Sequence, residues 1–376
     1  MEKWKTIKEG KTKLIIPKEG AFGENRKGRE KKAPVFYNPK MELNRDLCCS
    51  VLKELSKEKE IIFADLLAGS GAKGIRVANE TKNRVHLNDA NPDAYEVIKK
   101  NAKLNNLDVT ISNLEANKFL QDNFHAFDFI DIDPFGTPAP FLDNALMTLK
   151  KGGYLGVTAT DTAPLCGVYP KACYRKYGAV PLRSEICHEM GLRILIGHIA
   201  RTSAKYSKGM KILLTYYQEH YFRVYASFLK GKENANASLE NIGFVYYCKN
   251  CLNREHENGF HPSDKKCSCG SKFFVAGPLW LGSLNDKDFL KRVLNESAYL
   301  KSRSLDRLVS MLIEEADSFF YFDTHRIAKN LHLELKPIDK IIENLKSEGF
   351  MATRTHFSPT SIKTDAKIND LKKAFF

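Results

Sequence analysis

The chain lacks any uninterrupted apolar run of the roughly 18 residues that a helix needs to cross a bilayer. That excludes a transmembrane helix, and no membrane partner is expected. The opening residues Met1-Glu2-Lys3-Trp4-Lys5 are charged and polar, so the sequence predicts no secretory signal. Acidic residues fall short of basic ones, 45 Asp and Glu against 59 Lys and Arg, which leaves a formal net charge of +14. Such an excess points to a polyanionic partner, most simply a nucleic acid. The nine cysteines are odd in number and scattered, which argues against a secreted disulfide framework and for a reducing, cytoplasmic compartment. Apolar residues make up 43% and charged residues 28% of the chain, ordinary values for a globular protein with a large core. A length of 376 residues predicts two or three domains, and a monomer is expected.

Residues 1–32 are polar and basic, with a short alternating pattern around Leu14, Ile15 and Ile16. The charge run at 26–32 (Arg-Lys-Gly-Arg-Glu-Lys-Lys) reads as a solvated loop, with phosphate contact as its functional alternative. From residue 61 strands and helices alternate. Strands are expected at 61–68, 85–88, 109–112, 127–132 and 154–160, and helices at 74–80, 94–105 and 142–149. This alternation predicts an α/β fold with a doubly wound, mostly parallel sheet. A long helix at 184–204 and an antiparallel pair at 211–218 and 221–229 should follow. The composition then turns polar at 231–238, read as a linker. The chain is therefore expected to divide into residues 1–230 and a smaller α+β domain at 231–376.

Two motifs carry chemistry in the first part. Gly69-Ser70-Gly71-Ala72-Lys73-Gly74 matches G-x-G-x-x-G after a strand and before a helix, where glycines permit close ligand approach. Asp89 follows at the end of the next strand. An acid there suits the ribose hydroxyls of an adenosine, in a dinucleotide or in S-adenosyl-L-methionine; its structural alternative is a helix N-cap. The second motif is Asp133-Pro134-Phe135-Gly136, which ends the apolar run 127–132. Proline cannot donate to a sheet ladder, so the strand stops there. A carboxylate, a backbone carbonyl and an aromatic ring are left at the C-terminal edge of the sheet, where open α/β sheets bind ligands. The two acceptors suit an exocyclic amine of a nucleobase and the ring suits stacking. The layout resembles the Asp/Asn-Pro-Pro-Tyr/Phe tetrad of amino-methyltransferases. That resemblance, and the lack of an obvious hydride-transfer residue, favour S-adenosyl-L-methionine over a dinucleotide.

Four segments, in order along the chain, make a more specific resemblance. They are Val35-Phe36-Tyr37-Asn38-Pro39 with Asn44-Arg45-Asp46, then Asp133-Pro134-Phe135-Gly136, Thr158-Ala159-Thr160-Asp161-Thr162-Ala163-Pro164-Leu165, and Thr353-Arg354-Thr355-His356-Phe357. Together they resemble the archaeal-type tRNA guanine-26 N2,N2-dimethyltransferase family. The resemblance implies a Rossmann-like class I methyltransferase domain that transfers one and then two methyl groups to guanine N2 of a tRNA. It further implies that Arg45, Gly71, Arg76 and Asp89 contact the cofactor, that Glu115 and Ala116 border its adenine, and that Phe36 lines the pocket. Asp133 and the Pro134 carbonyl should hold the guanine amine, with Phe135 beside them and Asp131 in support. Lys73 stands where relatives usually carry arginine, and no role is assigned to it. An amino-methyltransferase of DNA or another RNA is the alternative within enzymes; a non-catalytic RNA-binding protein is the alternative outside them.

In the second part, Cys248-x-x-Cys251 and Cys267-x-Cys269 are separated by 15 residues, close to a zinc-ribbon spacing. Structural zinc on Cys248, Cys251, Cys267 and Cys269 is expected, with His256 and His261 as substitute ligands. Two amphipathic helices at 324–331 and 337–348, followed by strands at 350–357 and 361–364, suggest a winged helix. Arg354, His356 and Lys363 are its expected tRNA contacts, against the plain alternative of a solvated basic face.

Overall fold

A computed structural model describes residues 3–19, 21–22 and 33–375. The charge run at 26–32 lies outside the described residues. In chain order the elements begin with β1 (Trp4–Glu9), β2 (Thr12–Pro17), α1 (Glu42–Leu55), β3 (Ile62–Asp65), α2 (Ala72–Glu80), β4 (Arg84–Asn88), α3 (Pro92–Leu104), β5 (Thr110–Ser112), α4 (Ala116–Asp122), β6 (Phe127–Ile132), α5 (Ala139–Thr148) and β7 (Leu149–Ala159). They continue with α6 (Thr162–Leu165), α7 (Pro170–Tyr177), α8 (Cys187–Ala204), β8 (Lys208–Gln218), β9 (Tyr221–Lys230), α9 (Lys232–Leu239), β10 (Ile242–Tyr247), β11 (Arg254–Asn258) and β12 (Phe274–Trp280). The last are α10 (Lys287–Ser297), α11 (Arg303–Glu314), β13 (Phe322–Asp323), α12 (Thr324–Leu331), α13 (Ile338–Ser347), β14 (Ala352–Arg354), β15 (Ser361–Thr364) and α14 (Ile368–Lys373).

The main sheet has seven strands in the order β5-β4-β3-β6-β7-β9-β8. Strands β3 to β7 pair in parallel and β8 with β9 antiparallel. This is the doubly wound arrangement expected from the alternating pattern. The chain winds outward from β3 to β5 and then returns to place β6 on the other side of β3. That reversal makes the C-terminal ends of β3 and β6 the topological switch point, where such sheets bind ligands. Every residue of β6 is buried, which is why it reads as an unbroken apolar run despite its two acids.

Contacts divide the chain into two compact units, Met1–Pro134 with Phe141–Val157 and Asp288–Val309, and Phe135–Pro140 with Thr158–Lys287 and Ser310–Phe376. Each is discontinuous in sequence. In the first unit β2 packs on α3: Asn101 Oδ1 accepts from Ile15 N at 2.6 Å, and Asn105 holds both the N–H and the carbonyl of Lys13. In the second unit the expected polar linker is instead the helix α9. Its Ala235 and Ser238 are buried, and the Ser238 hydroxyl accepts from Met210 N at 2.7 Å. The sequence there is polar because only one narrow face touches the protein.

The second unit also carries two small sheets. One has the order β11-β10-β12, with the four cysteines in turns flanking its strands. The other has the order β13-β15-β14 and accompanies α12 and α13, the helix, helix and wing layout expected from the sequence. Near its start Asp323 caps α12, its carboxylate accepting from Arg326 N at 2.8 Å.

Candidate active site

The loop between β3 and α2 is held by backbone geometry and by its neighbours. Gly69 and Gly71 both have positive φ, 56° and 75°, a region L side chains rarely adopt. A Cβ on Gly69 would lie 3.2 Å from the Phe36 carbonyl oxygen, and one on Gly71 3.0 Å from Ile98. Asn101 Nδ2 donates to Ser70 O, and Ser70 N donates to Phe36 O. The segment containing Phe36 therefore lies against the glycine loop. Phe36 itself is 49% exposed, so it is not a core residue.

Asp89, just beyond β4, accepts from Gly69 N at 2.7 Å through one oxygen and from Asn91 N at 2.9 Å through the other. It thus ties the glycine loop to the next strand while its remaining lone pairs stay available. Glu115 caps α4 by accepting from Lys118 N and is exposed, with buried Ala116 next to it. The glycine loop, Asp89 and the start of α4 all follow the C-terminal ends of neighbouring parallel strands. A loop in which a Cβ would crowd the backbone, with an acid beside it, suits a nucleoside-bearing cofactor.

The two arginines expected at the cofactor are placed differently. Arg45 is buried and grips Glu9, Nε to Oε2 at 2.8 Å and Nη2 to Oε1 at 2.6 Å, and reaches Asn38 O. Burial pushes the Glu9 carboxyl up, but Arg45 more than offsets it and holds the group below the usual carboxylate range. The Arg45 fork is occupied by Glu9, which also accepts from Tyr37 Oη. Arg76 is fully enclosed between Glu80, Asp46 and Glu9. Its side chain contacts carboxylates of the protein rather than the open side of the loop. The reason is local: Glu80 stands one helical turn away on α2 and Asp46 on the neighbouring α1.

Asp133 is where the sequence motif indicates, directly beyond β6. Its Oδ2 lies 2.6 Å from Lys73 Nζ, and the same ammonium contacts Asp131 Oδ1 at 2.5 Å. Lys73 and Asp131 are buried, while the Asp133 side chain keeps 19% exposure. Asp131 pairs in register with Asp65 of β3, so the two acids lie side by side on one face. Burial, first of all, pushes the Asp65 carboxyl up to about 7; Lys73 opposes this and Asp131 adds to it. Asp65 Oδ2 also accepts from Gly74 N at 2.9 Å. Sequence reasoning left Lys73 without a role and passed over Asp65. The available signals were a lysine inside a glycine loop and an acid inside an apolar strand.

Beyond Pro134 the loop continues into the second unit. Phe135 is 77% exposed. Gly136 N donates to Thr160 Oγ1 at 2.6 Å, and Thr160 N donates back to Gly136 O at 2.9 Å. Asp161 accepts from Tyr177 Oη and from Lys176 Nζ. The motif at 158–165 thus anchors the end of the Asp-Pro-Phe-Gly loop.

The four cysteines converge as their spacing implies. Their sulfur atoms all lie within 4.8 Å of one another, with Cys248 to Cys269 and Cys251 to Cys267 each at 3.5 Å. Phe244, Tyr246 and Phe273 form an apolar floor under them. Neither His256, which packs on Phe319, nor His261 belongs to this cluster. Four soft donors in one small volume fit a tetrahedral zinc ion.

The expected tRNA contacts divide. Arg354 is exposed and pairs with Asp339 at 2.8 Å. His356 and Lys363 are corrected: their side chains are only 2% and 4% exposed, and both contact Glu315. Lys363 also reaches Glu189 of α8. They close a buried ion cluster and present no basic face.

A model of the N2,N2-dimethylguanosine tRNA methyltransferase family matches residues 10–375. A tRNA (guanine(26)-N(2))-dimethyltransferase of Methanobrevibacter smithii is 41% identical, covering 99% of this chain and 97% of its own length. That of Pyrococcus furiosus is 42% identical, covering 96% and 95%. The solved structure of Trm1 from Pyrococcus horikoshii with S-adenosyl-L-methionine superposes with a TM-score of 0.88 at 39% identity, over 98% of this chain and 99% of that one.

Proposed function

The chain belongs to the N2,N2-dimethylguanosine tRNA methyltransferase family, and from that membership we propose how its own residues perform the reaction. It is a tRNA (guanine26-N2)-dimethyltransferase that uses S-adenosyl-L-methionine. The observation that carries the mechanism is the Asp133 carboxylate at the end of β6, steadied by Lys73 beside the glycine loop.

The cofactor supplies an electrophilic methyl group. The protein must supply a nucleophile, and guanine N2 is a poor one because its lone pair is conjugated into the ring. Asp133 and the Pro134 carbonyl accept the two N2 protons, which favours pyramidal nitrogen and releases the lone pair. Lys73 holds one Asp133 oxygen at 2.6 Å and so fixes the orientation of the carboxylate. Asp133 then takes the proton lost on transfer. Alignment of N2 with the methyl group contributes the larger share, roughly 7–11 kcal/mol in well-oriented systems. The guanine must leave its stack, at a cost on the order of a few kcal/mol, and the exposed Phe135 ring offers it a stacking surface.

Asp89, Gly71, Glu115 and Ala116 hold the nucleoside of the cofactor, and Phe36 packs beside it. Arg45 acts as a positioning residue, because it grips the Asn38 carbonyl in the segment that lies on the loop. Cys248, Cys251, Cys267 and Cys269 hold a structural zinc ion that fixes the β10–β12 sheet. Arg354 contacts the tRNA backbone. The enzyme works as a cytoplasmic monomer. Incubating an unmodified tRNA transcript with the protein and S-adenosyl-L-methionine, followed by nucleoside mass spectrometry, tests the reading. Mono- and dimethylguanosine at position 26, and none in a transcript with adenosine there, is the expected result. Methyl on another base or position would overturn it, as would activity on DNA with none on tRNA.

A further inference from the structure

We propose that Cys166, Cys187 and His188 form a second site for a zinc-class metal ion, separate from the four-cysteine cluster. The three residues offer one ligand atom each, all within 4.8 Å of one another. Cys166 directly follows α6, and Cys187 and His188 open α8. Residues 21 positions apart in sequence are thus brought to one point by the packing of two helix ends.

The imidazole supplies the independent observation. Its Nδ1 is buried and has no hydrogen-bond partner. The ring hydrogen-bonds the backbone of Phe357 and stacks on Tyr217 with centroids 4.1 Å apart and an interplanar angle of 16°. An imidazole held in plane, with one nitrogen on a backbone carbonyl and the other bare, has the orientation of a metal ligand. One buried and one half-buried thiol alone do not account for that bare nitrogen, because buried polar atoms are normally partnered. Metal binding supplies the missing partner.

The balance of the step is simple. Each thiol gives its proton to solvent, two sulfur–metal bonds form, and neutral His188 contributes a lone pair. No electron is transferred. Two thiolates and one imidazole leave a fourth tetrahedral position for water. The ion would fasten the end of α6 to the start of α8. Helix α6 begins two residues after Thr160, which holds Gly136 of the Asp-Pro-Phe-Gly loop. The site therefore braces the anchor of that loop. The inference rests on this geometry alone and stands whichever base is methylated.

The test is metal stoichiometry of the full chain, purified under reducing, oxygen-free conditions, stripped with chelator and titrated with zinc. Two equivalents per chain are expected in the wild-type protein. Cys166→Ser and His188→Gln should each retain one equivalent, and a Cys248→Ser/Cys251→Ser variant should retain the other. Should that double variant fail to fold, the wild-type count decides, together with thiolate-to-cobalt absorption of cobalt-loaded Cys166→Ser compared with wild type. A single equivalent in wild-type protein, unaffected by Cys166→Ser, would overturn the proposal. So would a Cys166–Cys187 disulfide in the freshly purified protein.

Discussion

Asp131 and Asp133 share the ammonium of Lys73, which also acts through space on Asp65. Replacing Lys73 by methionine removes the cation that orients Asp133 and should lower kcat, while Lys73→Arg should keep most of it. Wild-type kcat in Lys73→Met would separate Lys73 from the chemistry. Asp133→Ala should lower kcat by about 10²–10⁴-fold, the usual worth of a positioned base. Its cofactor affinity, measured by calorimetry, should stay that of wild type; retained turnover would reject the mechanism. Asp133 is legible in the sequence because a proline truncates an apolar strand beside it. Lys73 is not, because its partners stand 58 and 60 positions away and only the fold unites them.

Elements in the second unit depend on a buried ion cluster and on the proposed zinc. Glu315 follows α11 and meets His356 after β14 and Lys363 on β15. Burial pushes its carboxyl up, but His356 and Lys363 overcome this and hold it at about 2, below its ordinary value of 4.5. A depressed acid adds stability above its unfolded pKa and loses it as pH falls through the folded one. The cluster should therefore weaken between about pH 4.5 and pH 2, by on the order of 3 kcal/mol for a shift of this size. Glu315→Gln should flatten that part of the stability curve, read by denaturant unfolding at several pH values; an unaltered curve would rule the cluster out as its source. Chelating the metal should raise amide exchange first in β10, β11 and β12, and exchange unchanged there would count against structural zinc. The cysteine spacing announced the sulfur cluster but not these strands, and amphipathic periodicity announced α12 and α13. Helix α9 escaped notice because Asn, Ser and Lys outnumber its few apolar residues, and its burial comes from Ala235 and Ser238.

For the whole molecule, the charge of +14 predicts that tRNA affinity falls steeply with salt, on the order of 10³-fold between 50 and 200 mM for about six phosphate contacts. Filter binding across that range checks it, and a flat response would exclude electrostatic docking. The alternation of strands and helices between residues 61 and 160, the glycine loop, the Asp-Pro-Phe-Gly edge and the cysteine quartet were determined by the sequence alone. They rest on periodicity, proline and glycine chemistry and ligand spacing, which act over a few residues. Only the tertiary structure decided that Arg45 and Arg76 are bound to carboxylates of the protein, that His356 and Lys363 are buried, and that Cys166 meets Cys187 and His188. A charged side chain takes its partner from whatever packing brings within a few ångströms, and that neighbour is usually remote in sequence. The discontinuous units have the same cause: contacts, not chain order, draw their boundaries.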